Sequence, residues 1–518
     1  MLFTSIPFII FFTIVFVLYY TIPSRFQYIC LLAASLFFYV YAGIKYSFFL
    51  VGISLITYIG AVLIDKNRER FSNASESMNK EEKKFQKKRM LRYNSCILTA
   101  VVVVLLGILF SVKYLDFFFS MFSGIFGIFN LSPPAISIIF PIGISFYTFQ
   151  ALGYVIDVKR DVCRTEKNFL KHMLFTSYFP LLLQGPISTY SELAMKLFEK
   201  HVYNHASAAE GLKRIVWGMF KKLVIAENIN TIIYEIIAVP NSKGIVIAIS
   251  FICYAIQLYA DFSGYMDIAI GCSSMLGIDI SENFETPYFS KSIAEFWRRW
   301  HITLGTWFRN YVFYPLQLSR LCSEIRKKTK KSSSHFLAEL PNLISLLVVW
   351  ILIGLWHGSS WCYVFYGLFH GGIIIISVIE KPFIDLFNEN VQFAKSRAYN
   401  CFRIIRTFSL VTFGYMIFAP GNINITIILI KNMLKGIYFS ELVSLISEHR
   451  SEFIILIVPM LIFIAVEILH EKNIKVRALI NSQKTFIRWS VYVLAVFAIF
   501  LFGAYTSANS AQFIYFKF

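Results

Sequence analysis

The sequence predicts an all-α polytopic membrane protein of about eleven transmembrane helices, with re-entrant or interfacial helices among them. Three observations carry that prediction. The 518 residues are 57% hydrophobic and 15% charged, with a mean hydropathy of +0.62, whereas a soluble domain carries about 25% charged residues. Apolar runs approaching the length of a bilayer-spanning helix, about 20 residues, recur along the chain. Basic residues cluster between those runs, as in Lys83-Lys84-Phe85-Gln86-Lys87-Lys88-Arg89 and Arg326-Lys327-Lys328-Thr329-Lys330-Lys331. The net charge of +19 is therefore read as the positive-inside bias of a membrane protein, not as a nucleic-acid surface.

The candidate spans lie at 2–21, 27–43, 46–64, 94–116, 134–156, 172–187, 223–238, 245–270, 343–357, 360–379, 407–420, 453–470 and 487–507. The first run has neither a basic n-region nor a small-residue cleavage site, so a retained span is expected there. Residues 65–93 carry ten Lys or Arg and are expected as a loop on the cytoplasmic side, which puts the N-terminus outside after three spans. From 320 onward the spans alternate without adjustment and leave the C-terminal tail outside. Between 172 and 300 the alternation does not close, and re-entrant elements are expected. No soluble domain is apparent at either end, so 1–518 reads as one integral membrane domain. The eight cysteines show no CxxC spacing, and neither a disulfide framework nor a metal site is expected.

Among the histidines, three lie where chemistry is plausible. His357 sits in Gly354-Leu355-Trp356-His357-Gly358-Ser359-Ser360-Trp361, after the apolar run from Leu343 to Leu355. An ionisable group at membrane depth points to function, and neutral imidazole is a base near neutral pH. The competing reading is a core histidine bonded to a neighbouring helix. His301 follows Phe296-Trp297-Arg298-Arg299-Trp300. Helical spacing puts Trp297, Trp300, His301, Leu304 and Phe308 on one aromatic face, with Arg298, Arg299 and Arg309 largely off it. Such a helix suits an interfacial anchor, and its arginines also suit phosphates of a nucleotide-bearing donor. His370, in Phe369-His370-Gly371-Gly372, reads as packing. Asp261 and Asp267 lie in an apolar run, where pairing with the arginines of 296–309 is expected.

Five segments then become recognisable together: Phe140-Pro-Ile-Gly-Ile-Ser-Phe-Tyr-Thr-Phe-Gln150, Tyr259-Ala-Asp-Phe-Ser-Gly-Tyr265, Glu295-Phe-Trp-Arg-Arg-Trp-His301, Thr306-Trp-Phe-Arg309 and Gly354-Leu-Trp-His-Gly358. In this order and spacing they resemble the membrane-bound O-acyltransferase family, and most closely its bacterial branch of alginate and peptidoglycan O-acetyltransferase membrane subunits. The resemblance is densest over 140–370. It implies a ring of helices around a central tunnel, with His357 catalytic and His301 the second functional histidine. It also implies a cytoplasmic acetyl-CoA donor, for which Arg298, Arg299, Arg309 and Trp300 are the candidate contacts, and no tightly bound cofactor.

The chain ends Gln512-Phe513-Ile514-Tyr515-Phe516-Lys517-Phe518. By composition this is an aromatic anchor after the last span. It also resembles the tail of the small partner protein in teichoic acid D-alanylation, which implies that residues 508–518 act as an acyl relay with Tyr515 as carrier. The expected function is O-acetylation of a cell-envelope polysaccharide, completed by a periplasmic SGNH-type partner. A D-alanyl transferase and a membrane transporter are the alternatives. The second would use Asp261 and Asp267 in an ion pathway.

Overall fold

A computed structural model describes residues 1–121, 141–238, 241–330 and 334–505. Tyr515 and the relay tail 508–518 lie outside the described residues, as do the start of the 134–156 span and Phe140 of the first motif. Among the described residues the chain is helical. Nine helices are long and apolar enough to cross a membrane, and Ile6–Thr21 and Ile423–Met433 are shorter apolar helices. The protein is thus a multi-pass membrane protein. It divides into two compact units, Met1–Leu212 with Ala269–Ser281, and Lys213–Ile268 with Glu282–Phe518.

In the first unit, Ser5 caps Ile6–Thr21 through Phe8 N, and Pro7 sits in the first turn, where it costs no hydrogen bond. Phe8, Phe11, Phe38 and Phe179 pack ring to ring beneath this helix. The basic stretch 65–93, expected as a loop, is instead largely helical. Ile44–Ser75 has 32 residues and Lys80–Lys113 has 34. At 1.5 Å per residue each exceeds the ~30 Å hydrocarbon layer, so the charged turns extend beyond it. A capping box of Asn79 and Glu82 starts the second helix and allows the short turn.

The expected span 172–187 is broken. Phe169–Ser177 and Phe179–Leu182 are short helices, followed by irregular backbone to the capped helix Tyr190–Phe198. Irregular backbone in a membrane protein needs partners within the protein. Here Gln150 Nε2 donates to Phe175 O at 2.5 Å, and Ser35 Oγ accepts from Phe179 N at 3.1 Å. His172, in the first of these helices, is buried with Nε2 2.9 Å from Thr57 Oγ1.

In the second unit the chain runs through a π-helical turn, Phe220–Ala226, before Glu227–Ala238. Two consecutive buried lysines lie on that turn. Lys221 Nζ reaches Asp267 at 2.7 Å and Ser263 Oγ at 2.8 Å. Lys222 Nζ reaches Asp261 and Glu227, both at 2.6 Å. Arg214 Nε completes the set at 2.8 Å from Asp267. The carboxylates expected to pair with the 296–309 arginines therefore pair with Arg214, Lys221 and Lys222. The cause is a backbone crossing: a Cβ on Gly218 would stand 2.6 Å from Gly264 O, and one on Gly264 2.9 Å from Gly218 O. Only at that closeness do short aspartate side chains meet the lysines.

The hairpin His335–His357 and Trp361–Ile379 packs in the same manner. A Cβ on Gly371 would meet Trp350 Cβ at 2.5 Å, and one on Gly354 or Gly367 would overlap the facing backbone at Tyr363 O or Trp350 O. The last described residues are seated on the π-helical turn, with Ala504 N donating to Leu223 O at 3.1 Å and Asn228 Nδ2 to Phe502 O at 2.9 Å.

Lys222→Met is expected to strip Asp261 of its cation. Breaking one side of a buried ion pair costs about 3–5 kcal/mol. A thermal-shift measurement in detergent checks this, and an unchanged midpoint would refute the pairing.

Candidate active site

His357 is the last residue of its helix, at the tip of the hairpin, and is 3% exposed. Gly358 follows it in extended backbone. A Cβ there would overlap the Tyr363 ring, so the glycine lets that ring close over the turn. The imidazole lies within a box of rings: Trp356 at 5.1 Å between centroids, Phe418 at 5.3 Å and Tyr366 at 5.7 Å.

His301 does not sit within a continuous helix. Ile293–Arg299 ends at Trp300, and a new helix, Ile302–Phe308, starts after His301. Trp300 is extended and bridges Phe284, with Glu285 N donating to Arg299 O at 2.9 Å. His301 takes a left-handed conformation, φ 46°, which is uncommon for a residue with a Cβ. Asn283 holds the break. Its Oδ1 accepts from Thr303 N at 3.1 Å and Thr303 Oγ1 at 2.9 Å, and lies 3.3 Å from His301 Nδ1. Because that oxygen is an acceptor, Nδ1 carries the proton and Nε2 is the basic nitrogen. Burial pushes the imidazole down to about 3, which keeps it neutral.

The two histidines meet through one residue. The Trp356 ring lies 5.8 Å from His301 and 5.1 Å from His357. Both imidazoles, expected from separate segments of the chain, thus flank a single indole.

The four donor candidates part company. Arg298 and Arg309 are exposed. Arg299 is engaged with Glu471 at 2.6 Å and Glu295 at 2.8 Å. Trp300 is 1% exposed and stacks on Phe296 at 5.5 Å and edge-on to Phe284 at 5.0 Å, a core position. Sequence reasoning missed Asn283, for which no local pattern stands out. It also missed Lys221 and Lys222, although two consecutive lysines in an apolar run are a visible signal.

Residues 159–419 match the membrane-bound O-acyltransferase family. The chain belongs to this family. It is an acyltransferase. Among its relatives, the probable alginate O-acetylase AlgI of Azotobacter vinelandii is 30% identical over 82% of this chain and 76% of its own length. The peptidoglycan O-acetyltransferase of Helicobacter pylori is 28% identical over 82% of this chain and 76% of its own. A teichoic acid D-alanyltransferase of Bacillus subtilis is 29% identical over 54% of this chain and 68% of its own.

Asn283→Leu removes the acceptor that holds the break at His301. A loss of about 1–3 kcal/mol is expected from the unmet Thr303 groups, together with reduced acyl transfer. Thermal shift and transfer assays on the same membranes check both, and wild-type values in either would count against the role of Asn283.

Proposed function

We propose that this enzyme passes an acetyl group from cytoplasmic acetyl-CoA to the outer side of a bacterial cytoplasmic membrane, for O-acetylation of a polysaccharide such as peptidoglycan or an alginate-like polymer. The observation that carries the proposal is the pair of buried imidazoles in contact with the one indole of Trp356. A neutral imidazole enclosed by rings is a base shielded from bulk water. The relatives that act on alginate and peptidoglycan match four-fifths of the chain, which supports acetyl as the group transferred.

In this mechanism His357 takes the proton of an incoming hydroxyl as its oxygen attacks the thioester carbonyl. The C–O bond forms, the C–S bond breaks, and the thiolate leaves and is protonated. His301, neutral and oriented by Asn283, is the second polar group of the site. Arg298 and Arg309 are the exposed cations on its segment among the described residues and suit the donor's phosphates. Arg299 serves to position the segment through Glu471 and Glu295. Tyr515 is the proposed first acceptor. A phenol of pKa about 10 gives an ester reactive enough to hand its acetyl on. A periplasmic SGNH-type partner with its own serine would complete the transfer to sugar hydroxyls. Both termini lie outside in this scheme, as the positive-inside pattern of the basic stretches supports.

The test uses membranes holding the full chain and acetyl-CoA labelled in its acetyl group. His357→Ala is expected to lower transfer by about 10²–10⁴-fold, the range for losing a general base; undiminished transfer would sink the assignment. Peptide mapping of the wild type is expected to find label on Tyr515, and a fully active Tyr515→Phe variant would exclude the relay. If label enters only from a D-alanyl carrier protein and not from acetyl-CoA, the enzyme is a D-alanyl transferase.

A further inference from the structure

His370 is fully buried, and neither of its ring nitrogens has a hydrogen-bond partner among the described residues. Other histidines of this protein are partnered. His172 meets Thr57, His201 meets Tyr19, His335 meets Val378 O and His301 meets Asn283. A neutral imidazole presents one donor and one acceptor, so no choice of tautomer relieves His370. Directly against it, at 5.4 Å between ring centroids and 81° between planes, lies Trp297. Its Nε1 is also buried without a partner among the described residues. Two unmet polar groups carried on adjoining rings are unusual in a folded interior, where each such group is destabilising.

The surroundings leave room for the ring while keeping bulk water away. A Cβ on Gly414 would stand 2.5 Å from His370 Nε2. Trp350 lies 4.9 Å from Trp297, and Tyr366 lies 4.7 Å from His370. Tyr366 is also the ring that meets His357 edge-on at 5.7 Å. The unmet pair therefore stands one ring behind the proposed base, between the segment bearing Arg298 and Arg299 and the helix bearing Tyr366.

We propose that Trp297 Nε1 and His370 together bind one small hydroxyl-type oxygen, which accepts from the indole N–H and donates to the imidazole. The bridge ties the Ile293–Arg299 helix to the hairpin and holds Tyr366 against His357, making Trp297 and His370 positioning residues. The oxygen is either a resident water or a hydroxyl of the acceptor. The effect on turnover rests on His357 being the base; the hydrogen bond itself does not.

Three variants of the full-length protein in detergent test this: Trp297→Phe, His370→Phe and the double variant. With a resident water, each single variant leaves its partner unmet, and the melting temperature is expected to fall by ~1–3 °C for a chain of this length. Replacing both polar groups removes the unmet bonds, so the double variant is expected to recover most of that loss. With a substrate hydroxyl, the singles melt no lower than wild type, and the KM for acceptor rises about 10-fold with kcat less affected. Singles that melt at or above wild type with unmoved kinetics would overturn the proposal, and so would losses that simply add. The Raman signature of indole N–H hydrogen bonding, taken as wild type minus Trp297→Phe, is an independent readout. A bonded indole is expected, in the resting protein for water and on adding acceptor for a substrate hydroxyl, and an unbonded indole in both states overturns the site. If Trp297→Phe does not fold, the same band is compared between wild type and His370→Phe. If His357→Ala remains active while the bonded indole is seen, the base assignment fails and this site stands.

Discussion

The second unit depends on one constraint: charges taken out of water must find opposite charges inside the protein. Lys221 and Lys222 meet it by standing on a π-helical turn that directs consecutive side chains to Asp267 and Asp261. The crossing of Gly218 and Gly264 sets the separation. The same requirement recurs at Glu471, which holds Arg299, while Glu467 accepts a hydrogen bond from the Tyr259 hydroxyl at 2.8 Å. An ion pair thus ties the helix Arg450–Glu471 to the segment that carries His301, alongside the aromatic packing of Trp297 and Trp300. The buried carboxylates that suit an ion pathway are each committed to a cation.

The two histidines illustrate how a membrane protein encloses polar side chains. His301 occupies a break in the helix, and the break exists because Trp300 turns into an extended bridge with Phe284 and Asn283 accepts the freed groups. His357 occupies a helix end, where glycine allows a tight turn. Neither sits mid-helix, where backbone geometry would dictate side-chain direction. Both contact the same indole, Trp356.

Much of this was legible in the sequence. Apolar runs, basic clusters and the motif order were sufficient for the membrane class and the family, and they singled out the two histidines that the structure brings to one indole. The misses have physical causes. Helical spacing predicted one continuous aromatic face over 297–308, but a distant acceptor, Asn283, overrode local periodicity. Charge clustering predicted a loop at 65–93, whereas alternating acids and bases with a capping box favour helix there. The partners of Asp261 and Asp267 could not be assigned without the backbone crossing that joins residues far apart in sequence. His370 reads as packing because a histidine between aromatic and glycine residues carries no local mark of an unmet bond.

The glycine-lined hairpin has a consequence for the timing of the entropic cost. Its two helices meet backbone to backbone at Gly354 and Gly367, and the Trp350 side chain fills the space over Gly371, so neither can slide or rotate without a clash. The imidazole at its tip therefore has its coordinates settled during folding, before any substrate arrives. With His357 as the proposed base of a reaction in which a displacement of about 1 Å can cost 100-fold in rate, that preorganisation leaves only the substrates to be immobilised at each turnover.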